Sequence, residues 1–575
     1  MDGASEVRRA GSLLRTRRPL VAICVLAAVA EASVIQLSGA TWATRLAPQV
    51  VAAAPWGLFH DLRWLVVYHD SWWGFGLELA GLLGFRSTLD ALIIRAAWPD
   101  GEEPPRFATA WRRTFGFTVA AAVLLAPWVT LLFGMAVVSL SWLFFAAVPP
   151  VVVMAVLIHP GAVAPGWWRR TVPLRAVGWV ALTFVVMTLC AAVVSADRAV
   201  LGVPVAAAGG LFNAWAWRGM VGSVASVRRS QRFVPLVPAG IAFMLAVVAV
   251  GTDIGFGVAS SDATAARATQ ARLAAAGGSA PAVRGGRPVL VAAGFGTSWD
   301  GVSGPWLPGP FDEARFSYAG LGPGSAPLAY RATDTYRSLG RLDTLMAAQV
   351  DSLHRSDHRR VSIIAASEGA LVAETYLARH PTAPVDQLIL LSPLVEPGRV
   401  YYPPAGGTGW GMVTSLGLDA LTRTIGDLSP LRLSPATPLL RSIVAEAPAI
   451  RSLGGCPPAG VRQVLVVPVA DAVAAPADGT VSLPAVVIPA FHSGALDDPG
   501  VEPTLLALLG DRAVPGTGTW SFLDSVIQGA STAWQVPELA LTVNRAWVLP
   551  SGASPTDGVL SCRDARLDLS QGLGS

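Results

Sequence analysis

The chain has 575 residues, 53% of them hydrophobic and only 14% charged, against roughly 25% charged in ordinary soluble domains. With a mean hydropathy of +0.51, that composition excludes a wholly soluble globular protein. Net charge is only +4 and the basic residues gather beside apolar stretches, so the basic pI near 9.1 calls for no nucleic-acid partner.

Apolar stretches of about 20 residues, long enough to cross a bilayer, recur up to residue 257. About seven spans are expected, at 19–39, 73–97, 115–137, 140–160, 175–196, 199–222 and 234–257. The second is interrupted by Glu78, Arg86, Asp90 and Arg95, and a helix lying on the membrane surface is the alternative there. Charge placement decides for a crossing. Arg8, Arg9, Arg15, Arg17 and Arg18 precede the first span, and three clusters follow: Arg106/Arg112/Arg113, Arg169/Arg170/Arg175 and Arg228/Arg229/Arg232. All four sit on one side only if the second segment crosses and the block from 115 to 160 is a helical hairpin. The positive-inside rule then sets the N-terminus in the cytoplasm and everything after residue 257 outside. A cleaved signal peptide fits the start poorly, because further apolar spans follow it. Arg86 and Asp90, four apart, are expected to pair on one helix face, as a helix staple or a functional pair.

Residues 258–286 are rich in Ala, Gly and Ser, as suits a tether. The chain then alternates strand and helix patterns. Arg287-Pro-Val-Leu-Val-Ala-Ala-Gly294-Phe295-Gly296 reads as a buried strand with a glycine-rich turn, and Ala314–Ala319 as a short strand. Arg341–His354 is an amphipathic helix with Leu342, Leu345, Met346, Val350 and Leu353 on one side. Such alternation predicts a mostly parallel sheet covered on both faces.

Next comes Val361-Ser-Ile-Ile-Ala-Ala-Ser367-Glu-Gly369-Ala-Leu, an apolar β-branched run ending in small-x-Ser-x-Gly and passing at once into a helical pattern. A tight strand-to-helix turn of this kind presents a serine hydroxyl and aims the positive helix N-terminus at it. An ordinary strand–helix junction carries the same letters, so residues further along must decide. After the strand Gln387–Ser392 and a Pro/Gly-rich insertion, 397–458, the strand Gln463-Val-Leu-Val-Val-Pro-Val-Ala-Asp471 ends on an acid. The strand Pro484-Ala-Val-Val-Ile-Pro-Ala-Phe-His492 runs out into a loop carrying a histidine.

The three residue types explain one another. A serine hydroxyl is a weak nucleophile until a base takes its proton, and imidazole is a usable base at neutral pH. A carboxylate fixes the imidazole tautomer and stabilises the imidazolium formed in the transition state. Ser367, His492 and Asp471 are the expected catalytic residues, with Asp478 and Glu396 as alternative acids. The backbone N–H of Glu368, directly after the nucleophile, is an expected oxyanion donor. His354, His358 and His380 read as solvated, and the His354-x-x-x-His358 spacing lacks a third ligand, so no metal or other cofactor is expected.

From Arg287 to about Gly510 the chain resembles the α/β-hydrolase superfamily, in the motif around Ser367 and in the order Ser, Asp, His. By that resemblance the turn after the first strand supplies the second oxyanion donor, the N–H of Phe295, with Ala293 where a histidine often stands. The insertion, with Trp410, Met412 and Leu416, corresponds to a substrate-covering cap. The resemblance implies a serine esterase or lipase acting on an apolar, membrane-lipid or cell-envelope acyl ester. An envelope acyltransferase with the same residues and a non-catalytic hydrolase-like binding or assembly module are the rival classes.

Cys456 and Cys562 are the only cysteines in the outer portion, and an oxidising compartment permits a disulfide between them. Residues 511–575 extend past the last expected helix, with a further strand expected at Ala540–Leu549. Arginine is abundant and lysine absent, which points to a GC-rich bacterial genome. The full expectation is an α-helical transmembrane domain (1–257), a linker (258–286), an extracytoplasmic α/β-hydrolase-like domain (287–510, cap 397–458) and a C-terminal extension (511–575).

Overall fold

The computed structural model describes residues 18–38, 48–67, 69–136, 163, 174–195, 201–225, 286–302, 307, 311–394, 397–398, 400–425, 434–469, 471, 484–490, 492, 494–512, 514, 518–531, 546–547, 549, 551–553 and 560–572. The expected spans at 140–160 and 234–257, the linker except its last residue, and most of the strand expected at Ala540–Leu549 lie outside them.

Among the described residues, the first part has six helices: α1 (Arg18–Leu37), α2 (Ala54–Val67), α3 (Trp72–Ala96), α4 (Phe107–Ala136), α5 (Leu174–Ser195) and α6 (Gly202–Ala225). Among the described residues, two segments are long and apolar enough to cross a membrane, Arg18–Leu37 and Arg175–Val194, rather than the seven expected. The other three described spans also form helices, α3, α4 and α6. Small residues let these helices approach closely. A Cβ on Gly210 of α6 would stand 2.7 Å from the Cys24 carbonyl oxygen of α1, and one on Gly219 would stand 2.1 Å from the Trp179 ring of α5.

Helix α3 differs from expectation in what it buries. Arg86 and Asp90 are each 1% exposed and face inward, whereas Glu78 near the start of the helix is 66% exposed. Arg86 does not take Asp90 as its ion-pair partner. It pairs with Asp61 of α2, a helix the hydropathy pattern did not reveal, and also donates to the carbonyls of Val50 and Gly57. Gly57 is required there: a Cβ would lie 2.5 Å from the Arg86 guanidinium.

The second compact unit is built on a six-stranded sheet of order β2-β1-β3-β4-β5-β6, parallel at every pairing. Its strands are β1 (Arg287–Ala292), β2 (Phe311–Arg315), β3 (Val361–Ala366), β4 (Val385–Leu391), β5 (Arg462–Pro468) and β6 (Ala485–Ile488). Every residue of β3 is buried, as are nearly all of β1, β4 and β5, which is why those strands read as continuous apolar runs. Between them lie α7 (Leu339–Asp357), α8 (Glu368–Arg379), α9 (Met412–Ile425), α10 (Pro438–Ala445) and α11 (Ala447–Leu453). Then follow α12 (Glu502–Leu509), α13 (Gly518–Ser531) and α14 (Cys562–Gly572).

The strand expected at Ala314–Ala319 is displaced towards the N-terminus. Ladder pairing ends at Arg315, because Ser317 turns the chain: its hydroxyl donates to the Leu328 carbonyl at 2.6 Å and its carbonyl accepts from Gly320. The insertion between β4 and β5 holds α9, α10 and α11. Met412 is buried there, while Leu416 is 46% exposed.

The tail is fastened to this unit. Cys456 and Cys562 form a disulfide with Cα atoms 5.3 Å apart. Trp547 donates its ring N–H to the Val444 carbonyl at 2.8 Å, and Ala565 and Leu569 of α14 are fully buried.

Candidate active site

In the strand order, the connections leaving β1 run one way to β2 and those from β3 onward run the other. That reversal opens a crevice at the carboxyl ends of β1 and β3, where open α/β sheets place their ligands. Ser367 stands at this point, directly after β3. Its φ of +51° and ψ of −116° lie where a non-glycine residue is strained by about 1–3 kcal/mol. The surroundings enforce that geometry. The Ser367 N–H donates to the Leu391 carbonyl at 3.0 Å, and its carbonyl accepts from Ala370 in the first turn of α8.

The glycines of the motif have specific reasons. A Cβ at Gly369 would approach the Ala293 and Ala292 carbonyl oxygens at 2.7 and 2.8 Å, so only glycine lets α8 start so close to the end of β1. A Cβ at Gly294 would lie 3.0 Å from that of Ser367. The turn after β1 therefore presses directly on the Ser367 turn, bringing the Phe295 and Glu368 segments into the same rim.

The other two expected residues converge on Ser367. His492, four residues past β6, places Nε2 2.9 Å from the Ser367 hydroxyl oxygen. Its Nδ1 lies 2.9 and 3.1 Å from the two oxygens of Asp471, three residues past β5. Asp471 is fully buried, whereas the His492 side chain is 17% exposed. Nδ1–H donates to the carboxylate, leaving Nε2 to accept the serine proton, the arrangement that general-base activation of a hydroxyl requires. Asp478 and Glu396, the alternative acids, lie outside the described residues.

The remaining histidines sit elsewhere in the unit. His354 and His358 end α7: the His354 ring lies 2.8 Å from the Arg359 carbonyl, and His358 caps the helix with φ +55°. His380 follows α8 beside Asp343, at 3.4 Å.

Sequence reasoning missed the residues that brace the turn after β1. Tyr318, fully buried, donates its hydroxyl to the Ala293 carbonyl at 2.5 Å. Thr297 donates to the Gly294 carbonyl at 2.7 Å and lies 3.3 Å from the Tyr330 hydroxyl. Thr335 accepts the Gly296 N–H at 3.0 Å, and the Tyr336 ring stacks on Phe295 with centroids 4.7 Å apart. Apart from the local Thr297–Gly294 bond, these contacts join residues 25 or more positions apart, so no local pattern signals them.

No family model and no curated protein matches the sequence. Among solved structures, an esterase from Exiguobacterium antarcticum is similar at 18% identity and a TM-score of 0.24, covering 39% of this chain and 92% of its own. A bromoperoxidase from Bacillus anthracis is similar at 13% identity and a TM-score of 0.25, with the same coverages. Lipase B of Aspergillus fumigatus is similar at 16% identity and a TM-score of 0.23, covering 46% of this chain and 67% of its own. On its own strand order and rim, the parallel-sheet domain resembles the α/β-hydrolases.

Proposed function

We propose that this protein is a membrane-anchored serine hydrolase, esterase- or lipase-like, acting on an apolar or cell-envelope acyl ester outside the cytoplasm. One observation carries the reading: a strained, rim-facing serine hydroxyl 2.9 Å from an imidazole whose other nitrogen rests on a buried carboxylate. Ser367 attacks the acyl carbon as its proton passes to His492 Nε2. The Glu368 and Phe295 amides receive the charge that develops on the carbonyl oxygen. His492 then protonates the leaving alkoxide, and a water activated by the same imidazole releases the acid. Asp471, held against Nδ1, stabilises the imidazolium. No cofactor enters this reading.

The membrane part of the proposal is supported by the two apolar helices and, under the positive-inside rule applied to the seven-span reading of the sequence, by the arginine clusters. The Cys456–Cys562 disulfide suits a compartment outside the cytoplasm. The experiment is active-site labelling of the full-length protein with a fluorophosphonate. The adduct is expected on Ser367 and is expected to vanish in Ser367→Ala; unchanged labelling of that variant refutes the assignment. Product analysis with an added alcohol separates hydrolysis from acyl transfer.

A further inference from the structure

The N–H assigned to Phe295 in the chemistry above belongs to the peptide that joins Gly294 to Phe295. Neither this N–H nor that of Glu368 donates to a backbone acceptor among the described residues. A peptide unit is planar and trans, so its carbonyl and its N–H point opposite ways, and whatever holds one fixes the direction of the other. Here the carbonyl is held by Thr297, whose hydroxyl donates to the Gly294 oxygen at 2.7 Å.

A hydroxyl has one proton to give. Thr297 spends its proton on Gly294, so at the 3.3 Å contact with Tyr330 the phenol donates and the threonine oxygen accepts. Tyr330 is well fixed for that task. It is buried, its backbone exchanges two hydrogen bonds with Trp299 at 2.9 Å each, and its ring meets the Tyr318 ring edge-on with centroids 5.2 Å apart. The chain of donors therefore runs one way, from the Tyr330 phenol through the Thr297 hydroxyl to the Gly294 carbonyl. Hydrogen bonds in series polarise one another, and a donor on the carbonyl makes the N–H of the same peptide a stronger donor. The other braces act on different peptides: Tyr318 holds the Ala293 carbonyl, and Thr335 takes the Gly296 N–H.

We propose that Thr297, backed by Tyr330, is a positioning residue: its grip on the Gly294 carbonyl sets the plane of the peptide whose N–H, that of Phe295, meets the developing oxyanion. The proposal rests on the hydrolase reading.

The test uses the full-length protein and a fluorophosphonate, with the maximal rate of Ser367 labelling and the half-saturating probe concentration measured separately. Thr297→Val keeps the shape and deletes the hydroxyl. It is expected to lower the maximal rate about tenfold, less than the loss of a whole oxyanion donor, and to leave half-saturation within about twofold. Thr297→Ser, which keeps the hydroxyl, is expected to restore the rate to within about threefold of wild type. Tyr330→Phe should slow wild type about threefold and the Thr297→Val background not at all, because it acts through Thr297. Should Thr297→Val fail to fold, Thr297→Ala takes its place. A serine variant as slow as the valine one overturns the proposal, since packing and not the hydroxyl would then matter. So does an equal effect of Tyr330→Phe in both backgrounds. A wild type that labels at Ser367 beside a Thr297→Val variant of unchanged rate refutes this proposal alone; a wild type that never labels there refutes the hydrolase reading and this proposal with it.

Discussion

In the helical unit Arg86 is buried with every part of its guanidinium engaged: Nε on Asp61, Nη1 on the Val50 carbonyl and Nη2 on the Gly57 carbonyl. In the sheet unit His492 is also held by a buried aspartate, but on one nitrogen only, and its other nitrogen meets the hydroxyl of a strained serine at a partly open rim. Both arrangements pair a base with an acid that is fully or mostly buried. Arg86, however, remains charged at any accessible pH and has each guanidinium nitrogen on a fixed acceptor, so it can tie segments together but cannot pass a proton. The His492 imidazole keeps a nitrogen lone pair directed at a hydroxyl, so it can take up a proton and return it. A buried ion pair thus marks a site only where one partner has something left to do.

The sharpest way to break this contrast is to remove the working nitrogen. His492→Ala and Ser367→Ala should each lower ester cleavage by about a thousandfold or more, and the double variant should lose little beyond either single one, because the two act as a unit. Additive losses in single-turnover assays would argue against a shared step. Asp471→Asn should approach the same loss, while Asp478→Asn should stay within about twofold.

Arg86→Ala should act on folding instead. It leaves Asp61, 15% exposed, without its guanidinium partner, at a cost of about 3 kcal/mol, read as a lowered denaturation midpoint of the helical unit while the Ser367 hydroxyl still labels. Replacing Cys456 and Cys562 by serine should cost about 2–4 kcal/mol, because the bridge spans 106 residues. Reductant should destabilise wild type to the same midpoint and leave the double variant unmoved.

The smallest effect is expected at Tyr318→Phe, which deletes one hydrogen bond to the Ala293 carbonyl. The loss of about 1 kcal/mol in the turn should slow labelling roughly fivefold without changing its site.

Linear order made much of the sheet unit legible. Buried parallel strands read as unbroken apolar runs, and the nucleophile turn needs small residues at Ala365, Gly369 and Gly294 for steric reasons that any sequence must obey. The ends of β3, β5 and β6 could therefore be found, and Ser367, Asp471 and His492 lie there. Less could be read where a residue's partner is remote. Arg86 and Asp90 are four apart on one helix, which suggests a pair, yet Arg86 reached across to Asp61, on a helix too short and polar for hydropathy to register. The β2 strand shifted because the Ser317 hydroxyl found a carbonyl eleven residues away at Leu328.

What the sequence determined by itself was chemical type and periodicity: which segments are apolar enough to be buried, and which side chains can act as nucleophile, base and acid. Tertiary structure decided which of them meet. It set the imidazole between Ser367 and Asp471, turned the Arg86 guanidinium to Asp61, joined Cys456 to Cys562, and set Tyr318 and Tyr330 behind the turn that carries Phe295. The reason is range: periodicity is written by neighbours along the chain, whereas a hydrogen bond at 2.9 Å between residues 125 apart exists only once the sheet has brought its strand ends to one rim.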